Sequence, residues 1–212
     1  MANKKKIRLA TERFISQSDE ILNYVKESES YLGDKNTSWS YEYAVIRLYR
    51  EFEKLMLEAI VGTINNDTQT VSDELGIKLP KHLTDEVCEY LVTGSGYFDF
   101  KGRDGLIHLL SKYLPNENKK NTKATKPGIL KKTHYLIEIV KSKEYTSAID
   151  QLSALRNFAA HGSTTAKKSA LKAVKQERMG SSGAWLKRQN RFETMANKLK
   201  KLATEIKEAA PR

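Results

Sequence analysis

Apolar residues in this chain of 212 residues recur at intervals of three, four and seven, and almost nowhere at intervals of two. That spacing puts a greasy stripe on one face of a helix, whereas a half-buried strand would need strict alternation. Only 4 prolines interrupt the pattern. The expectation is an all-α protein, a helical bundle that forms a single domain over 1–212. Residues 7–32 carry Ile7, Phe14, Ile21, Val25 and Leu32, and residues 41–64 carry Val45, Leu48, Phe52, Leu55 and Ala59. A short polar turn over 33–37, with Ser38 or Ser40 as helix cap, would fold the two into a long antiparallel hairpin.

Beyond the hairpin the pieces are shorter. Asn65, Asn66 and Asp67 end the second helix, and Pro80 can start another that runs to about Val92 and stops at Gly94. Residues 97–100 read as a buried loop or a strand of a few residues, and 104–114 as a helix. The Asn/Lys/Thr-rich stretch 116–128 is expected to be a mobile basic loop. Residues 129–142 are crowded with apolar side chains and should be buried on several sides. Ser147, with Asp150 three positions later, predicts the cap of a helix over 148–160, and Gly162 suits the left-handed position past its end. A weakly apolar helix over 164–178 follows, then a hinge at Gly180–Gly183, then an amphipathic helix over 184–208 with Phe192, Met195, Leu199, Leu202 and Ile206 on one face.

Charge narrows the partners. The formal net charge is +11. Residues 163–212 hold 13 Lys and Arg against 4 Asp and Glu, so this basic C-terminal helical segment, expected to pack on the core, carries most of the surplus. Such a surplus points to a polyanion, nucleic acid first, or else to a solvated helix face. Lys119, Lys120, Lys123, Lys126, Lys131 and Lys132 cluster around the polar loop, and they would contact RNA backbone without reading its sequence. A single cysteine, Cys88, excludes an internal disulfide and a Cys-based zinc site. No apolar run approaches a membrane span and no secretory signal opens the chain, so the expected address is cytoplasmic.

The familiar catalytic signatures are missing. There is no phosphate-cradling Gly-rich loop, no pair of histidines at metal spacing and no nucleophile elbow. Neither a metal nor another cofactor is expected. What remains is Leu155-Arg156-Asn157-Phe158-Ala159-Ala160-His161-Gly162. Arg is permanently charged and grips phosphate through parallel hydrogen bonds, and His can give or take a proton near neutrality. Those two capacities suffice to cleave RNA without a metal. A base deprotonates the 2′-hydroxyl, an acid protonates the leaving 5′-oxygen, and a cation holds the charge on phosphorus. A five-residue step turns a helix by about 140°, so the two side chains would flank a groove instead of stacking. The structural alternative is a histidine at a helix C-terminus, favoured by the dipole, and an arginine paired with Asp150 or a neighbouring carboxylate.

Arg156-Asn157-x-x-x-His161, within Asp-x-Leu-x-x-Leu-Arg-Asn-x-x-Ala-His-Gly over 150–162, resembles the signature of the HEPN superfamily, its RiboL-PSP type above all. Tyr49-Arg50-Glu51-Phe52-Glu53 on the second predicted helix is similar to the aromatic-acidic step of those domains. The resemblance implies an all-α bundle in which a long hairpin, short inserted helices, the motif helix and a C-terminal amphipathic helix follow in order. It implies a metal-independent endoribonuclease that works as a homodimer, with two motif helices meeting at a two-fold cleft. Arg156 would polarise the scissile phosphate, His161 would act as general base or acid, and Asn157 would orient the histidine or a phosphate oxygen. Glu53 would position Arg156. Many members are toxins of toxin–antitoxin pairs or phage-defence effectors, which adds an antitoxin or regulatory protein to the possible partners. Others are inactive and serve as modules that bind nucleic acid or protein.

Overall fold

A computed structural model describes residues 2–65, 68–94, 96, 98–116 and 132–210. Among them are ten helices and no strand, so the all-α expectation holds. They are α1 (Ala2–Tyr31), α2 (Asp34–Ile64), α3 (Gln69–Leu75), α4 (Asp85–Thr93), α5 (Gly102–Tyr113), α6 (Tyr135–Lys141), α7 (Lys143–His161), α8 (Thr164–Val174), α9 (Ser182–Leu186) and α10 (Arg191–Ala209). None is long and apolar enough to cross a membrane.

The α1–α2 hairpin is the frame. Helix α2 is the central element, and Ala44, Val45, Leu48, Phe52, Met56, Ala59 and Ile60 on it are fully buried. Helices α1, α4, α7 and α9 pack around it, and α10 closes the bundle against α1 and α7. The stripe Phe192, Met195, Leu199, Leu202 and Ile206 is buried along its whole length. Buried apolar area is the main stabilising term in such an assembly, and one continuous cluster runs from Ile7 to Ala210.

Several boundaries differ from the sequence expectation, each for a local reason. The hairpin turn is shorter than five residues: Gly33 is the N-terminal cap position of α2, and no side chain caps it. Ser38 and Ser40 lie inside the helix, their hydroxyls donating back to the Asp34 and Asn36 carbonyls. Pro80 lies between helices, in neither of them. The helix expected from it begins at Asp85, after Thr84, and α3 precedes it. Residues 98–100 form a loop whose Phe98 and Phe100 are buried. The crowded segment yields α6 from Tyr135 onward, with Leu136, Ile137 and Val140 fully buried.

Helix α7 starts five residues earlier than predicted. Its cap is Ser142, whose hydroxyl accepts from the Glu144 amide. Gly162 does occupy the left-handed position beyond it (φ 60°), so His161 is the last helical residue. Within the Gly180–Gly183 stretch, Ser182 and Gly183 form a packed contact instead of a hinge. Ser182 is fully buried and donates to the Leu155 carbonyl at 2.9 Å. A Cβ on Gly183 would lie 1.8 Å from the Ser38 carbonyl oxygen. The final helix is accordingly two: α9, then a tight reversal with Gln189 and Asn190 at positive φ, then α10.

Candidate functional site

The site grows out of the contact between α2 and α7. Tyr49 is almost wholly buried on α2. Its ring stacks on Phe100 at 5.1 Å, and its hydroxyl oxygen lies 2.8 Å from Asp99 Oδ1 and 3.0 Å from the Phe100 carbonyl. The other face of the Tyr49 ring carries the Arg156 guanidinium, 4.4 Å from the ring centroid. This cation–π contact and a hydrogen bond from Arg156 Nη1 to Asn157 Oδ1 (2.7 Å) fix the arginine. No carboxylate closes to ion-pair distance on Arg156 among the described residues.

Glu53 stands one turn beyond Tyr49 on α2. Burial pushes its carboxyl up to about 7, and Asp99 adds to the rise. Arg156, the Tyr49 hydroxyl and Arg50 pull it back down. Glu53 thus feels the arginine's field without forming a direct ion pair with it. Burial also drives the Tyr49 hydroxyl upward, with Glu53 and Asp99 adding to it, so the phenol stays protonated and remains a donor.

Asp150 does not pair with Arg156, nor does it cap its own helix. Its Oδ1 accepts from the Arg103 amide at 2.8 Å, capping α5 from across the bundle. Ser153, one turn away, accepts from the Gly102 amide at 3.2 Å. Gly102 has a positive φ of 74°, and a Cβ there would meet Asp150 Oδ1 at 2.7 Å. Only glycine fits, and the segment carrying Asp99 and Phe100 is thereby strapped to α7.

Residues 143, 147, 150, 154, 157 and 161 of α7 recur at spacings of four and three, so they share one face. That face looks outward. It ends at His161, which is exposed and has no hydrogen-bond or ion-pair partner among the described residues. Arg156 lies on the flank turned to α2. The structure therefore sets Arg156 beside Asn157 and within the field felt by Glu53, and places His161 one turn beyond Asn157 on the outward face, a five-residue step from Arg156. Beside the outward face runs a groove of about 840 Å³ between the 99–102 segment, α7 and α8. Asn157 lines it, while Arg156 and His161 lie outside its lining.

Of the lysines expected to contact RNA, Lys119, Lys120, Lys123, Lys126 and Lys131 lie outside the described residues, as does most of the 116–128 loop. Lys132 is exposed and does not line the groove. Sequence reasoning missed the roles of Tyr49 and Asp99 and the lysines around the groove. Those of α7 and α8 carried a signal in their helical spacing, whereas Asp99 and Lys101 reach the site only through the long-range strap at Gly102. Among the described residues no three His, Cys, Asp or Glu side chains converge in a way that could hold a metal ion. No family model, no curated protein and no solved structure matches the chain.

Proposed function

We propose that this protein is a metal-independent endoribonuclease of the HEPN type that works as a homodimer. The observation that carries the reading is the state of Arg156. It is half-buried, clamped by Tyr49 and Asn157, and in no ion pair with a carboxylate among the described residues. An arginine held in this way is ready for an anion, and a phosphodiester matches its paired donors. His161, exposed at the end of the same helix and without a partner among the described residues, would supply proton transfer.

The chemistry needs a 2′-hydroxyl as nucleophile. His161 as base takes its proton, the 2′-oxygen attacks phosphorus, Arg156 holds the charge on the phosphoryl oxygens, and the 5′-oxygen leaves as it gains a proton. One histidine cannot readily be base and acid in the same turnover, and in one protomer Arg156 and His161 face different sides of α7. A two-fold pairing of motif helices would supply two of each around one cleft. Asn157 holds Arg156, and Glu53 tunes the field around it. The resemblance of 150–162 to HEPN domains extends the proposal to a toxin or phage-defence effector, restrained by an antitoxin or regulatory protein in the cytoplasm.

The products test the route. Attack by the 2′-oxygen leaves a 2′,3′-cyclic phosphate and a 5′-hydroxyl, and end-group analysis of cut RNA should find both. Fragments with 5′-phosphates would contradict it. The second reading is a catalytically silent module that binds nucleic acid or protein, and the placement of Arg156 and His161 on different sides of α7 favours it. That module would bind RNA equally well with or without His161 and would leave it whole.

A further inference from the structure

The groove between α7, α8 and the 99–102 segment is bordered by Lys101, Lys143, Lys172 and Lys175. All four are exposed, and none of their side chains has a hydrogen-bond, ion-pair or ring partner among the described residues. The groove also holds two carboxylates, but both are turned to internal donors: Asp150 to the Arg103 amide and Asp99 to the Tyr49 hydroxyl. The lining is thus net cationic, four lysines against two carboxylates. Among the described lysines outside the groove, Lys54, Lys78, Lys81, Lys167 and Lys168 likewise lack a side-chain partner, whereas six others are paired. Lys6, Lys26, Lys187, Lys200, Lys201 and Lys207 each bridge to a carboxylate.

Two further features mark the groove. Lys175 sits in the left-handed region (φ 55°, ψ 47°), the position past a helix end that glycine fills most readily. A lysine stands there instead, at the groove's edge. At the other end lies Asn157, which holds Arg156, and one helical turn further along the same face stands His161, about 6 Å along the axis.

From this arrangement we infer that the groove holds the sugar–phosphate backbone of a single RNA strand flanking the cleavage point, with Lys101, Lys143, Lys172 and Lys175 on its phosphates. The inference rests on the ribonuclease reading for its ligand. The stretch of α7 from Lys143 to Asn157 spans about 21 Å, enough for a few linked nucleotides. No aromatic side chain lines the groove, so bases are not stacked and the contacts are blind to sequence.

The test is binding of a fluorescein-labelled oligouridylate, followed by anisotropy across a salt series. The full chain is used with His161→Ala, so that the probe stays intact. Adding Lys172→Ala and Lys175→Gly should weaken binding and lower the salt slope by about 0.7 for each lysine lost. Glycine suits the backbone at 175, so Tm should hold or rise there, and weaker binding cannot be ascribed to unfolding. The pair Lys200→Ala and Lys207→Ala on α10 should bind like the parent. The inference is overturned if the groove variants bind as the parent does, if the α10 pair weakens binding equally, or if the parent binds no oligouridylate. If groove variants lose binding while the unaltered protein never cuts RNA, the groove stands and the cleavage reading falls. If the protein cuts RNA and the groove variants bind and cut unchanged, the reverse holds.

Discussion

Helices α8 and α10 are both basic, and they use their charge differently. On α10, Lys200 pairs with Asp19, Lys201 with Glu144 and Lys207 with Glu12, while the opposite face buries five large apolar side chains. On α8, Lys167, Lys168 and Lys172 have no partner among the described residues, and only Ala170 and Val174 are buried. A basic surplus in the C-terminal quarter of the sequence is therefore two things. One part fastens a helix onto the bundle, and the other is left exposed on α8, where Lys172 lines the groove. Net charge alone could not distinguish them, because pairing depends on carboxylates from α1 and α7 that are distant in sequence.

The widest separation between the two helices should appear in stability. Phe192→Ala removes a fully buried ring from α10 and should cost about 3–5 kcal/mol, read by urea denaturation. Lys168→Ala or Lys172→Ala on α8 should leave the midpoint unmoved. A large loss from either lysine would mean that α8 is fastened as α10 is. The joint between the two helices comes next. Gly183→Ala forces a methyl into the Ser38 carbonyl and should cost about 1–3 kcal/mol. No effect would restore the idea of a hinge there.

A third difference concerns pH. Glu53 has its carboxyl raised to about 7, against an ordinary value of 4.5. Between those values the folded state binds more protons than the unfolded one, so stability falls as pH rises through that window and stays lower above it. Glu53→Gln should remove this component, flattening the Tm profile between pH 4.5 and 7 and raising Tm at pH 8. An unchanged slope would show that Glu53 ionises normally. The smallest effect belongs to the exposed pairs of α10: Lys207→Ala should cost less than about 1 kcal/mol, and less still in high salt.

Much of the fold was legible because helical periodicity is local. The stripe of α10, the hairpin and the glycine after His161 all follow from spacing and cap chemistry. Where the sequence misled, a distant partner decided. Asp150 looked like the capping-box partner of Ser147, yet it satisfies the amide of Arg103. Ser182 and Gly183 looked like a hinge, yet they fill a close contact with α2 and α7. Ser38 and Ser40 looked like caps, yet their hydroxyls bond one turn back inside a longer helix. At the candidate site, Arg156, Asn157 and His161 could be named from their motif. The cation–π seat on Tyr49 could not, because it depends on how α2 and α7 cross. The groove lysines come from three separate segments, so no single window of sequence contains them.

The central claim is that Arg156 and His161 cleave RNA without a metal. The most direct measurement is incubation of total RNA in EDTA with the unaltered protein and with the His161→Ala variant, their equal Tm values established beforehand. The account predicts fragments with the former and intact RNA with the latter. Cutting by both proteins alike, or cutting that appears only when a divalent metal is restored, would contradict it.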